Sequence, residues 1–348
     1  MNEAQQILDD SVNRFFNARI DRDFLTRIEA SHWDDALWGN LVDQGLSQVL
    51  VSDAHGGMGG SWLDAFIVAR ACGKHAVPLP VPEQLLANWL QEQAGLTPRA
   101  GVAGLLVAPI PSTALSDNQV TLTAERVPWG RRADYFVGVT STSELLVLDT
   151  TAARVIPDAN LAREPRDRIT FTAAPVLARA RVALPSDVVR TLGALLRSAQ
   201  IAGAAAACLE LSVKYTSERE QFGRALAQFQ AIQHQLAELA GAMASVDTIA
   251  ATAAIVMDTR GIMAAGRNAL FEIAAAKCRA SEAVESITRI SHQVHGAIGF
   301  TYEYDLQFLT RRLWSWRAEF GAHGEWGEQL GQIAIAEGGA ELWHYLTA

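Results

Sequence analysis

The sequence is poor in the features that mark secreted, membrane-bound or nucleic-acid-binding proteins. Its 348 residues include 3 cysteines, Cys72, Cys208 and Cys278, far apart and without a Cys-x-x-Cys pair. An odd, scattered set argues against a disulfide framework and fits small buried thiols kept reduced. Charged residues make up 19% of the chain, with Lys plus Arg 29 against Asp plus Glu 38 for a net charge of −9. Binding nucleic acid needs a basic surface, so a general nucleic-acid binder is excluded. The most apolar runs, IAGAAAACL and IAATAAIVM, are mostly Ala and too short to cross a bilayer. The N-terminal MNEAQQILDDSVNRFF is acidic and amphipathic, unlike a signal peptide. No strand-Gly-x-Gly-x-x-Gly-helix unit, P-loop or serine-nucleophile motif is present. The expectation is a cytoplasmic protein with no nucleic-acid or membrane partner. Its 49% hydrophobic content excludes a disordered chain and suffices for a large core.

Three textures follow one another. Residues 1–100 read as helices, with Leu8, Val12 and Phe15/Phe16, then Leu37, Leu41 and Leu46, at helical spacing. HGGMGGS (His55–Ser61) interrupts them, and Ser61 is placed to cap the next helix. Residues 101–185 switch to short β-rich runs: GLLVAPI, QVTLTAERV, YFVGV, ELLVLDT, RITFTA and RARVAL. Turn residues such as SDN and PDAN separate them, which predicts a small antiparallel β domain. Residues 186–348 are helical again. From Ala225 to Met257 an apolar stripe runs through Phe229, Ile232, Leu236, Leu239, Met243 and Val246 at steps of three and four. Further helices are expected to about His292, over Leu306–Trp316 and over Trp326–Leu346. The fold class is α+β: an N-terminal helical domain, a small middle antiparallel β domain and a C-terminal four-helix bundle.

Two segments could carry chemistry. Tyr215–Gln233 (YTSEREQFGRALAQFQAIQ) joins two long helices through a Phe-Gly break. Arg219 there could present a bidentate fork to a phosphate, or simply pair with Glu218 or Glu220. In Ser291–Phe308 (SHQVHGAIGFTYEYDLQF), Gly296 and Gly299 free the backbone for close approach, and His292 and His295 flank Gln293. A helix C-cap would account for one of these glycines, less well for the clustered Gln, His and aromatics.

These segments, with GLSQVLVSDAHGGMGGSWLDAF near the N-terminus, resemble the acyl-CoA dehydrogenase family, whose members share the helical–β–helical order. The resemblance implies FAD as cofactor. It implies that Arg219 contacts the FAD pyrophosphate and that Phe222 and Gln230 line its adenosine part. It also implies that Gln293, Gly296 and Ala297 reach the FAD of a neighbouring subunit, hence an oligomer. The implied reaction is α,β-desaturation of an acyl-CoA thioester, with an electron-transfer flavoprotein as partner. The β region departs from the family. LLVAPIPSTALSDNQ stands in place of a Thr-Glu-Pro plus Gly-Ser-Asp stretch, and ERVPWGRRADYF in place of a Trp-Ile-Thr element, with Trp129 out of step.

The reaction needs a buried carboxylate over the substrate α-carbon. Family alignment puts that base at Phe320, just before Gly321, or near Gly193; neither is an acid. Glu319 is one residue away, and Glu303 and Asp305 are alternatives. On a regular helix a one-residue step turns a side chain by about 100°. Glu319 therefore serves only if the segment is irregular. The remaining alternative draws on TYEYDLQFLTRR, which resembles the short subunits of heteromeric acyl-CoA dehydrogenases, including those acting on steroid side chains. The chain is then one subunit of a heterotetramer whose partner supplies the base, or a catalytically inactive structural partner. A homo-oligomer with Glu319 as its own base is the other expectation.

Other features have blander readings. Glu29–His32 and Glu341–His344 match Glu-x-x-His but lie at opposite ends of the chain, so no metal site is expected. His323 beside Glu325 reads as a solvated turn. Trp314 and Trp316 near Arg311, Arg312 and Arg317 read as cation–π packing rather than an acyl pocket wall.

Overall fold

The computed structural model describes residues 1–31, 33–263 and 267–347. The chain forms two compact units: Met1–Thr26 with Ala69–Val77 and Ala194–Ala348, and Arg27–Val68 with Pro78–Gly193. The elements run α1 (Glu3–Asn17), α2 (Arg22–Ser31), α3 (Asp35–Asp43), α4 (Trp62–Lys74) and α5 (Val81–Gln93). Seven strands follow: β1 (Ala103–Leu105), β2 (Leu115–Ser116), β3 (Gln119–Pro128), β4 (Tyr135–Val139), β5 (Glu144–Asp149), β6 (Ala153–Ile156) and β7 (Arg166–Arg181). Then come α6 (Val188–Glu218), β8 (Glu220–Gln221), β9 (Arg224–Ala225), α7 (Gln230–Arg260), α8 (Leu270–His295), α9 (Leu306–Trp316), α10 (His323–Glu337) and α11 (Leu342–Thr347).

In the second unit, Ser61 caps α4 as its chemistry suggests: its Oγ accepts from Asp64 N at 3.3 Å, and the Asp64 carboxylate accepts from Ser61 N at 2.8 Å. The preceding glycines allow close backbone packing. A Cβ on Gly57 would lie 2.2 Å from the Val51 carbonyl oxygen. The sheet runs β1-β4-β5-β7-β3-β2, with β6 also on β7. Every pair is antiparallel except β1 with β4, which is parallel. The runs RITFTA and RARVAL form one strand, β7, rather than two. It is long enough to pair β3 and β6 at one end and β5 at the other. The SDN turn places Asp117 and Asn118 at φ 48° and 59°, as a tight hairpin requires. Phe136 and Phe171, edge to face at 5.0 Å, centre this unit's core.

In the first unit, α6–α9 bury a core containing Ile201, Leu239, Val246, Val284, Ile287 and Trp316. The apolar stripe of α7 is its inward face: Leu239, Val246, Ala250, Ala253 and Met257 are buried. Gly261 ends α7 and Leu306–Trp316 forms α9 as expected, but Gly338 (φ 81°) divides the expected last helix into α10 and α11. Two glycines missed in the sequence bring α4 and α6 together. A Cβ on Gly73 would sit 1.9 Å from the Gln200 carbonyl oxygen, and one on Gly203 would sit 1.8 Å from that of Arg70. The short runs IAGAAAACL and IAATAAIVM belong to helices of 31 residues, α6 and α7, long and apolar enough to cross a membrane by length and composition. The apolar window of α6 is 94% buried inside the protein, that of α7 33%.

Candidate functional site

The segment Tyr215–Gln233 closes as a hairpin. Arg219 N donates to Tyr215 O at 2.8 Å, and Leu226 N donates back to Arg219 O at 2.9 Å. Between β8 and β9, Phe222 and Gly223 turn the chain at φ 55° and 80°. A bulky side chain at positive φ is an uncommon conformation. Phe222 is 91% exposed, its ring edge to face with that of Phe229 at 6.3 Å between centroids. Arg224 lies over the Phe229 ring at 4.0 Å. The pairing of Arg219 with Glu218 or Glu220 does not form. Its guanidinium is exposed and makes no ion pair among the described residues. Gln230 opens α7 with an exposed side chain.

The second segment meets the first through aromatic stacking. At the end of α8, the His295 ring stacks on Tyr215 with centroids 4.7 Å apart, and Tyr304 packs against both. His295 Nδ1 donates to Ser291 O at 2.7 Å, while His292 Nε2 lies 2.9 Å from Thr310 Oγ1 under a stacked Phe300. Burial holds both imidazoles below the ordinary histidine range, so they pack as neutral rings. Gln293, Gly296 and Ala297 face outward. Gly296, at φ 64°, has nothing within 4 Å of where a Cβ would lie, so its backbone is open to a ligand. An unspent guanidinium, two carboxamides and an open glycine turn are the donors an anionic dinucleotide needs, and in that respect these residues fit FAD.

The slot expected for a catalytic base is built differently. After α9 the chain leaves helical geometry: Phe320 and Gly321 adopt φ 57° and 98°. The helical objection to Glu319 therefore lapses. Its carboxylate meets Arg197 of α6 at 2.9 Å, with side chains only 8% and 2% exposed. The Arg197 guanidinium also bonds Gln200 and lies over the Trp316 and Phe320 rings, 5.3 and 5.4 Å away. Lys277, fully buried on α8, donates to the carbonyls of Trp316 at 3.3 Å and Arg317 at 2.9 Å. Trp326 Nε1 donates to Phe320 O at 3.0 Å, so the turn is pinned at every step. Glu303 and Asp305, the alternatives, are exposed in the single chain. Arg197 was missed in the sequence. A lone charge between Arg190 and Glu210 in an Ala-rich helix was the available signal, because a buried arginine needs a partner.

The remaining features are structural. Trp129 is buried at φ 56°, with Trp33 6.1 Å away. Arg317 lies over Trp314 at 4.7 Å, the cation–π packing expected of that cluster. Glu325 accepts from Ala322 N at the start of α10, so His323 and Glu325 are helix-terminal. His32 lies outside the described residues. Glu341 and His344 are exposed, and the described residues contain no group of three or more His, Cys, Asp or Glu placed to hold a metal.

The comparisons with known proteins agree over both ends of the chain. Residues 2–95 match the acyl-CoA dehydrogenase N-terminal domain, and residues 191–323 match the acyl-CoA dehydrogenase C-terminal domain. The acyl-CoA dehydrogenase IpdE2 of Mycolicibacterium smegmatis is 30% identical over 284 residues, covering 80% of this chain and 82% of that protein. Among solved structures, the ChsE4-ChsE5 complex from Mycobacterium tuberculosis superimposes with TM-score 0.86 at 19% identity, covering 97% of this chain and 98% of that one. Butyryl-CoA dehydrogenase from Megasphaera elsdenii gives TM-score 0.84 at 17% identity, covering 96% and 99%. At those identities the two structures speak for the fold alone.

Proposed function

The chain belongs to the acyl-CoA dehydrogenase family, and from that premise we propose that it is an FAD-binding subunit of a heteromeric acyl-CoA dehydrogenase that desaturates an acyl-CoA thioester. The proposal rests on the exposed, unpaired Arg219 guanidinium, joined through the Tyr215–His295 stack to the open Gly296 turn. Arg219 would hold the pyrophosphate, Phe222 and Gln230 the adenosine part. Gln293, Gly296 and Ala297 would serve the cofactor of a neighbouring subunit. FAD, when bound, supplies the hydride acceptor. The exposure of all these groups in the single chain supports a site completed by another subunit. IpdE2 is named an acyl-CoA dehydrogenase, and the ChsE4-ChsE5 structure is of a complex. Those descriptions support an acyl-CoA substrate and a second, related subunit. An electron-transfer flavoprotein as acceptor and a cytoplasmic setting belong to the same proposal.

For the proton-abstracting step, Glu319 is the candidate in this chain. It is buried beside Phe320 in a non-helical turn. Its work would be to take the α-proton on a carboxylate oxygen while the low-dielectric surroundings keep water away. A second reading is favoured by the Arg197 contact: a carboxylate committed to a guanidinium has fewer lone pairs for a substrate proton. In that reading the partner subunit supplies the base, and Glu319 shapes the turn. The test is co-expression with the neighbouring gene's product. It should give a yellow complex with stoichiometric FAD that reduces an electron acceptor in the presence of acyl-CoA. A colourless complex that takes up no FAD would refute the proposal.

A further inference from the structure

The β8–β9 hairpin carries a second guanidinium that the assignments above leave unused. Glu220 pairs with Ala225 and Gln221 with Arg224. Leu226 N extends the pairing by donating to Arg219 O at 2.9 Å. Side chains alternate between faces along a strand, and paired residues share a face. This register puts Arg219, Gln221 and Arg224 on one face of the hairpin and Glu220 with Ala225 on the other. Arg219 and Arg224 are then diagonal neighbours, a separation that long side chains can span.

The acids of the same segment do not share that face. Glu220 is on the opposite one. Glu218, the last residue of α6, lies by the Tyr304 phenol, which burial, Asp305 and then Glu218 push up. Arg224 itself is exposed but held: its guanidinium lies over the Phe229 ring, 4.0 Å from the centroid, with Phe222 edge to face on the same ring. Such a contact uses the face of the guanidinium and leaves its N–H donors available. Among the described residues those donors find no hydrogen-bond or ion-pair partner. Two like charges on one face of a strand pair are unfavourable by themselves. An anion between them reverses the sign.

We propose that Arg224 is a second binding residue for the FAD pyrophosphate, held in place by Phe229 and supplying the positive charge that Arg219 alone leaves lacking. A pyrophosphate diester carries two negative charges, and one guanidinium neutralises one of them. The proposal rests on the reading of Arg219 as a pyrophosphate contact.

Titration of FAD into the flavin-free complex with the neighbouring gene's product, followed by fluorescence quenching at low and high salt, tests it. Arg224→Met should weaken FAD about tenfold, as expected for one lost charge-assisted hydrogen bond. It should also flatten the salt dependence, because one screened charge pair is gone. Arg224→Lys keeps the charge and should retain most of the affinity. The side chain is exposed, so both variants should keep the circular dichroism of the parent. Unchanged FAD affinity in Arg224→Met, or an equal loss in Arg224→Lys, would overturn the proposal and leave the FAD assignment standing. A parent complex that takes up no FAD would instead remove that assignment, and this proposal with it.

Discussion

Arg197 and Glu319, 122 positions apart in the chain, form a buried ion pair at 2.9 Å, and the rings of Trp316 and Phe320 enclose the guanidinium. Removing one member of such a pair leaves an uncompensated charge in a dry environment. Arg197→Met should therefore cost about 3–5 kcal/mol of stability. Chemical denaturation of the purified chain measures it. A loss below about 1 kcal/mol would mean that the pair is not closed in solution.

Glu319→Gln separates the two origins of the base. If Glu319 abstracts the proton, turnover of the assembled enzyme falls by about 10²–10⁴-fold while the flavin spectrum stays unchanged. If the partner supplies the base, turnover changes little and the main effect is lower stability, because Arg197 loses its charged partner. Steady-state kinetics with FAD absorbance on one preparation distinguishes them.

Arg219→Lys should lower FAD occupancy well below stoichiometric, because an ammonium cannot copy a planar fork on a pyrophosphate. Phe222→Ala should weaken FAD more mildly and leave the melting temperature of the apo chain unchanged or higher, since the ring is 91% exposed and its backbone sits at φ 55°. Flavin titration followed by fluorescence quenching reads both. Full FAD occupancy in Arg219→Lys would remove this arginine from the site.

Gly73→Ala and Gly203→Ala should each destabilise the first unit by at least the 1–3 kcal/mol typical of overpacking. The added Cβ would meet backbone oxygen at 1.9 and 1.8 Å, which no rotamer change relieves. The two substitutions should be non-additive, since both wedge apart the same pair of helices. Thermal unfolding of the two single variants and the double variant checks this.

His75 makes stability depend on pH. Its pKa is about 4 in the folded chain, against 6.5 unperturbed. The unfolded chain therefore binds the proton first. The neutral ring's contribution is fully present above pH 6.5 and is lost as pH falls from 6.5 toward 4. His75→Gln should flatten the fall in urea midpoint across that window relative to the parent chain. Equal slopes would show that the ring is not buried as described.

Much of the fold was legible because helices and strands announce themselves locally. The steps from Leu239 to Val246 to Ala253 predict a helix with one buried face, and those residues are buried on α7. The dipeptide Asn-Gln after Asp117 in the SDN turn opens β3 where turn chemistry put it. Less legible were elements decided by pairing: RITFTA and RARVAL join into one strand because β3, β6 and β5 all need β7 as their neighbour. The parallel pairing of β1 with β4 has no local signature at all. For the site, Arg219, Gln230 and Gln293 stood out through the segments that carry the family resemblance, and all three are exposed.

By itself the sequence determined the order of helical and β textures, the scatter of its three cysteines, and the segments that resemble a flavoenzyme family. Composition and periodicity carry these, since both are properties of neighbouring residues. Tertiary structure alone decided that Arg197 meets Glu319, that Gly73 and Gly203 admit one helix to another, and that Tyr215 stacks on His295. Each of these depends on which distant residues share a small, poorly hydrated space. There a charge or a missing methyl group has energetic consequences that chain neighbours do not reveal.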